Sequence, residues 1–134
     1  QQQKVVSLTA YKVLSIELAA GLGHTFYDNE TDYETVYFDQ EIQHDFASWV
    51  SGNSMEPLYP NGSVALMKQT GFDYDGAVYA LIWNGKTYIK KVYREAEGLR
   101  LESINPDYDD LFAPYEDEPK IVGIVVGHFL PLEV

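Results

Sequence analysis

From residue 63 onward, hydrophobic residues fall on alternate positions or in short unbroken runs, the pattern of β-strands rather than of amphipathic helices. Ala77-Val78-Tyr79-Ala80-Leu81-Ile82-Trp83 and Lys86-Thr87-Tyr88-Ile89-Lys90-Lys91-Val92 flank Asn84-Gly85. Asn-Gly favours the positive-φ turns whose twist suits a hairpin. A second Asn-Gly, Asn61-Gly62, precedes the apolar run Ser63-Val64-Ala65-Leu66-Met67, and Gly98–Ser103 and Lys120–His128 read as further hairpin strands. Alternation is also clear at Thr35-Val36-Tyr37-Phe38. Short strands at this spacing predict a mainly β fold, twisted and partly closed, made of short antiparallel strands and hairpins with little helix.

The first residues follow no such rule. The apolar residues between Val5 and Leu18 hold no clean 3.6-residue period, so this stretch reads as a strand or extended arm. Gly21-Leu22-Gly23 interrupts regular structure and leaves Ala19 and Ala20 in an extended, accessible loop. The expected organisation is an arm over residues 1–23 and one compact domain over residues 24–134. A chain of 134 residues with 46% hydrophobic content supports one core and is too short for two comfortable ones. The acidic stretch from His24 to Tyr37 reads as a solvated face.

The chemistry concentrates in Val50-Ser51-Gly52-Asn53-Ser54-Met55-Glu56-Pro57-Leu58-Tyr59-Pro60-Asn61-Gly62. Ser54–Leu58 predicts a short helical turn, with Pro57 in the first turn where a missing amide proton is harmless. In that position Ser54 is suited to a helix N-cap. The same turn would direct free backbone amides, those of Asn53 and Ser54, toward an oxyanion, and Met55 would pack beneath the loop. A serine hydroxyl becomes a nucleophile only when a base takes its proton, and a lysine serves as that base when burial lowers its pKa toward neutrality. Lys90 and Lys91 both lie on an apolar strand. Tyr88, Lys90 and Val92 share one face and Ile89 and Lys91 the other, so periodicity does not choose between the two lysines.

Gly52-Asn53-Ser54-Met55-Glu56-Pro57, the Asn-Gly turn and apolar strand after it, and a strand bearing Lys90 after two β-formers together resemble the self-cleaving C-terminal domain of LexA-like and phage-repressor proteins. The resemblance runs from Ser51 to about Val126 and includes Leu101-Glu102-Ser103-Ile104-Asn105-Pro106-Asp107-Tyr108 and Ile121-Val122-Gly123-Ile124-Val125-Val126-Gly127. It implies Ser54 as nucleophile and Lys90, the first lysine of the pair, as general base. It also implies a bond to be cut upstream, for which Ala20-Gly21 stands in the expected place, with Leu18 and Ala19 as contacts of the substrate arm. The implied protein is a homodimeric transcriptional repressor. Self-cleavage, stimulated by a RecA filament on single-stranded DNA, would inactivate it. The competing expectation is a non-cleaving dimerisation module controlled by an antirepressor protein. Membrane-anchored signal peptidases use a similar Ser-Lys pair, but no apolar run here reaches bilayer-spanning length.

Composition narrows the alternatives. Nine Lys and Arg against 21 Asp and Glu give a formal charge of −12, which opposes contact with a phosphate backbone. Operator DNA would therefore be held through an N-terminal helix-turn-helix domain, presumed absent from this chain. No cysteine is present, which removes thiol catalysis and cysteine-ligated metals, and with no secretion signal a cytoplasmic location is expected. His24, His44 and His128 lack zinc-site spacing, Asp73-Tyr74-Asp75-Gly76 reads as a turn rather than a calcium loop, and no phosphate-binding glycine motif occurs. Neither metal nor cofactor is expected. The 11 tyrosines, with the apolar end Phe129-Leu130-Pro131-Leu132-Glu133-Val134, suit either a core or a subunit contact.

Overall fold

The computed structural model of the chain describes residues 7–22 and 33–133. The elements run β1 (Thr9–Val13), α1 (Ile16–Leu22), β2 (Glu34–Phe38), β3 (Phe46–Trp49), β4 (Val64–Gln69), β5 (Val78–Trp83), β6 (Lys86–Arg94), β7 (Gly98–Glu102), β8 (Leu111–Pro114) and β9 (Lys120–Phe129). A 3-10 turn at Tyr115–Asp117 links the last two strands. All the strands among the described residues join one nine-stranded sheet, order β2-β1-β3-β4-β9-β5-β6-β7-β8, which does not close on itself. The fold is mainly β, as the alternation predicts.

The Asn84-Gly85 hairpin forms as expected. Asn84 and Gly85 take φ of 51° and 73°, and β5 and β6 pair from Trp83↔Lys86 to Val78↔Lys91. β9 is no hairpin partner of its chain neighbour; it runs between β4 and β5 and holds the two halves of the sheet together. Its register slips at Leu66/Met67 against β4 and at Ala80/Leu81 against β5. Such irregularities increase local twist and bend the sheet. The curvature lets the central strands bury both faces. On β4, Val64 and Leu66 enter one apolar cluster with Tyr11, Val13 and Phe129, while Ala65 and Met67 enter another with Phe46, Val50, Met55 and Ile89. A third cluster gathers Tyr79, Leu81, Val92, Leu99 and Leu101 toward the β8 end.

The structure departs from the sequence expectation in several places. β1 pairs with β3 in parallel at Val13↔Ala47, so the sheet is mixed rather than purely antiparallel. Parallel neighbours need a crossover connection, and the chain between β1 and β3 provides one. β3 and β8 had no clear signal; both are four residues long, too short to display alternation. The stretch read as a strand or extended arm does contain a strand, β1, but continues as helix α1 instead of extended chain. Ser15 starts that helix: its Oγ accepts the Leu18 amide at 3.0 Å and its carbonyl accepts the Ala19 amide at 3.0 Å. An N-capping serine followed by Leu, Ala and Ala is a sound helix start once tertiary packing supports it. Ala19 is therefore buried (1% exposed) instead of lying in an accessible loop. Residues 1–6, the Gly23-His24 junction and the acidic stretch through residue 32 lie outside the described residues.

Gly98 faces β8 where a Cβ would run into the Ala113 carbonyl oxygen and the Phe112 ring. Because the obstacle is backbone of a paired strand, it cannot swing aside. We expect Gly98→Ala to destabilise the fold by about 1–3 kcal/mol, the usual range for overpacking. Urea denaturation would show this as a lower midpoint at unchanged slope, and an unchanged midpoint would mean that β7 and β8 separate without cost.

Candidate functional site

Beyond Trp49 and Val64, the β3–β4 ladder continues by one further pair, with the Val50 amide donating to the Ser63 carbonyl at 2.9 Å and the Gly62 amide to the Val50 carbonyl at 2.8 Å. What remains is a closed loop over residues 51–61. Its ends are tied where Asn61 Oδ1 accepts the Gly52 amide at 2.7 Å. Gly52 has φ of 82° and Gly62 of 86°, a backbone region that favours glycine. Ser54–Leu58 form successive turns rather than the expected helical turn, and the Glu56–Pro57 bond is cis. A proline disfavours helical geometry in the residue before it, here Glu56. Met55 (2% exposed) packs beneath the loop as expected, and Tyr59, also buried, accompanies it. Burial pushes the Tyr59 phenol above its ordinary range, so it stays a neutral anchor.

The loop brings Ser54 onto β6. Lys90 Nζ lies 2.6 Å from Ser54 Oγ across 36 residues of sequence. Lys90 is 8% exposed, and burial lowers its pKa from the ordinary lysine range because one bond to a hydroxyl does not make up for the lost hydration of the ammonium. Among the described residues it makes no ion pair. The adjacent Lys91 shows the opposite behaviour: its Nζ meets Glu102 at 3.2 Å, and that hydrogen bond raises its pKa. The alternation that separates the two lysines by face thus gives one a carboxylate and leaves the other with a hydroxyl.

Ser54 and Lys90 line a cleft of about 230 Å³ together with Ile16, Trp49, Ser51 and Thr87. A wider trench of about 370 Å³ shares Ile16, Trp49, Ser51 and Thr87 with it and extends to Glu17, Tyr33 and Glu34. The amides of Asn53 and Ser54 form no hydrogen bond among the described residues, so both donors are free. The other predicted residues lie elsewhere. Leu18 is half-buried against the core, and Ala20 faces a separate cleft with Gln69, Gly71, Lys120 and Val122. Among the described side chains of α1 only Ile16 reaches the Ser54–Lys90 cleft, and Ala20 and Gly21 do not line it.

Sequence reasoning included Asn105 in a segment carrying the family resemblance but gave it no role; it joins the site from the loop after β7. Its amide donates to the Ser54 carbonyl at 2.9 Å, and its Nδ2 donates to the Asn53 carbonyl at 3.0 Å. Asn-Pro-Asp is legible as a turn, but nothing in a turn motif tells which distant backbone it will hold. Among the described residues no group of three or more His, Asp or Glu could hold a metal ion, and no helix is long and apolar enough to cross a membrane. His24 lies outside the described residues.

Residues 12–126 match the family described as Peptidase S24-like. The chain is 31% identical over 118 residues to a LexA repressor of Lacticaseibacillus casei, covering 85% of this chain and 55% of that protein. It is 40% identical over 77 residues to the repressor protein CI of Enterobacteria phage phi80, covering 56% of this chain and 32% of the repressor. An HTH-type transcriptional regulator PrtR of Pseudomonas aeruginosa is 34% identical over 80 residues, 57% of this chain and 31% of that protein. The chain thus spans about half the length of the LexA relative and about a third of the other two. With a match reaching from β1 into β9 across both the serine loop and the lysine strand, the chain belongs to the Peptidase S24-like family.

Proposed function

We propose that this chain is the self-cleaving, dimerising domain of a repressor, with Ser54 as nucleophile and Lys90 as general base. The observation that carries the reading is the 2.6 Å contact between a hydroxyl and a buried amine that makes no ion pair among the described residues. In the neutral form Lys90 accepts the Ser54 proton, and Oγ attacks the Ala20 carbonyl. The amides of Asn53 and Ser54 are the donors proposed for the resulting oxyanion. The Lys90 ammonium then protonates the departing Gly21 amine. Water, deprotonated by Lys90, hydrolyses the ester, frees the Ala20 carboxylate and restores Ser54.

In a longer repressor chain, this cut would part whatever precedes residue 20 from the dimerising domain and so weaken operator binding through two linked half-sites. The charge of −12 leaves DNA contact to another part of such a protein. A homodimer, with a RecA filament or an antirepressor protein as effector, belongs to the same proposal. One observation favours the competing, non-cleaving module: Ala20 and Gly21 are helical, and Ala19 is buried. Cleavage therefore requires α1 to unwind and enter the cleft as extended chain.

Two outcomes are expected. On incubation from neutral to alkaline pH, intact mass should show wild type losing residues 1–20 at a rate that rises with pH as Lys90 loses its proton, while Ser54→Ala and Lys90→Ala stay whole. If all three proteins stay intact, also with activated RecA filament, the non-cleaving module takes precedence. The second outcome concerns stability. With its folded pKa below 10.5, Lys90 binds fewer protons in the folded than in the unfolded chain between those values, so stability rises with pH across that window. Lys90→Met should therefore raise stability at neutral pH by on the order of 0.5–2 kcal/mol. That gain should shrink toward alkaline pH in thermal melts, and a loss at neutral pH would mean that the lysine is held as a structural donor.

A further inference from the structure

Asn105 makes several hydrogen bonds, each to backbone. Its Oδ1 accepts the Asp107 amide at 2.9 Å, which fixes the orientation of the side-chain amide and leaves Nδ2 to donate. Nδ2 donates to the Asn53 carbonyl at 3.0 Å, and the Asn105 main-chain amide donates to the Ser54 carbonyl at 2.9 Å. These carbonyls belong to the two consecutive peptide units on either side of the Ser54 Cα. In a planar trans peptide the N–H points opposite to the C=O. Holding the Asn53 carbonyl on one side therefore directs the Ser54 N–H to the other, and holding the Ser54 carbonyl does the same for the Met55 N–H.

The bonds also act on donor strength. The Asn53 carbonyl accepts a second hydrogen bond, from the Glu56 amide at 3.2 Å. A peptide whose oxygen accepts hydrogen bonds is polarised and becomes a better donor at its nitrogen. The Ser54 amide itself has no acceptor among the described residues. A donor fixed in direction, polarised from behind and left without a partner is suited to charge that appears only during a reaction.

We infer that Asn105 is a positioning residue that aims and polarises the Ser54 amide for the oxyanion formed when Ser54 attacks. It touches neither hydroxyl nor lysine, acting instead through the peptide units that flank the nucleophile. The inference rests on the Ser54–Lys90 reading, and the experiment separates the two.

The probe is an alkyl fluorophosphonate. Ser54 Oγ attacks phosphorus, its proton passes to Lys90 and fluoride leaves, while the phosphoryl oxygen needs the donor that a carbonyl oxygen would need. Labelling rates are measured for wild type, Asn105→Ala, Asn105→Asp and Ser54→Ala against pH, with melting temperatures alongside. Asn105→Ala should label on the order of 10²-fold more slowly at every pH, the size of effect produced by misplacing a reacting group. The inflection of its rate profile should stay where the wild type has it, because the Ser54–Lys90 contact is untouched. Asn105→Asp keeps the acceptor for Asp107 but has no side-chain donor. Compared on the alkaline plateau, where Lys90 is neutral in every variant, it should be slowed as well; it decides the matter if the alanine variant does not fold.

A folded Asn105 variant that labels at the wild-type rate overturns the inference. So does an Asn105→Ala profile whose inflection moves, since that would mean a loosened serine loop rather than a misdirected amide. If wild type labels no faster than Ser54→Ala, the inference and the nucleophile assignment fall together.

Discussion

The site depends on a buried amine that has no carboxylate partner among the described residues. Lys90 is buried beside a hydroxyl, and the only stabilisation the hydroxyl gives an ammonium is one hydrogen bond. That environment favours the neutral lysine. The rest of the architecture maintains it. β6 lies inside the sheet between β5 and β7, and the serine loop covers Lys90. On an edge strand the same lysine would reach solvent and keep its proton. The register supplies the contrast: Lys91, opposite Glu102, has a carboxylate partner. A shift of one residue would exchange the surroundings of the two lysines. A buried lysine is a burden on stability, and here its placement at a serine is the feature that gives the burden a use.

The second constraint is the shape of the serine loop. Its Met55 and Tyr59 anchors, its Asn61 clasp on Gly52 and its Asn105 bonds are supplied by different parts of the chain. They leave the carbonyls of Asn53 and Ser54 engaged and their amides without an acceptor among the described residues. A loop of this length without such ties would sample many conformations, and a few tenths of an ångström decide whether a donor meets a developing charge. Rigidity in the loop and burial of the lysine are therefore separate conditions, met by separate residues.

Much of this was legible in the sequence because it is written in local signals. Asn84-Gly85 dictated the β5–β6 hairpin, and alternation along Lys86–Val92 placed the two lysines on opposite faces. What alternation could not choose, Lys90 over Lys91, depends on which face the serine loop covers, a tertiary fact. The same limit explains Asn105: its turn is local, its bonds to Asn53 and Ser54 are not. β3 and β8 were too short to show a period, and β1 found a parallel partner that no local rule announces. Helix α1 is a different kind of miss. Ser15 as cap with Ala19 and Ala20 after it was there to be read, but Gly21 and Gly23 outweighed it as breakers.

That helix sets the terms on which the proposed cleavage can be controlled. A helix of seven residues is too short to persist on its own propensity, so its stability comes from what it buries, chiefly Ile16 and Ala19. Exposing an isoleucine costs about 1.5–3 kcal/mol, with less for an alanine. An equilibrium of that size leaves the unwound form populated at roughly the per cent level, a minor state that a ligand can select. Ile16 is also the residue of α1 that reaches the serine cleft, so its withdrawal would both free the segment and open the space the substrate needs. A partner that binds the unwound form more tightly by only a few kcal/mol would then bring cleavage to full rate without altering Ser54 or Lys90. On the proposed reading, control lies in the conformation of residues 16–22, and the catalytic pair is left permanently assembled.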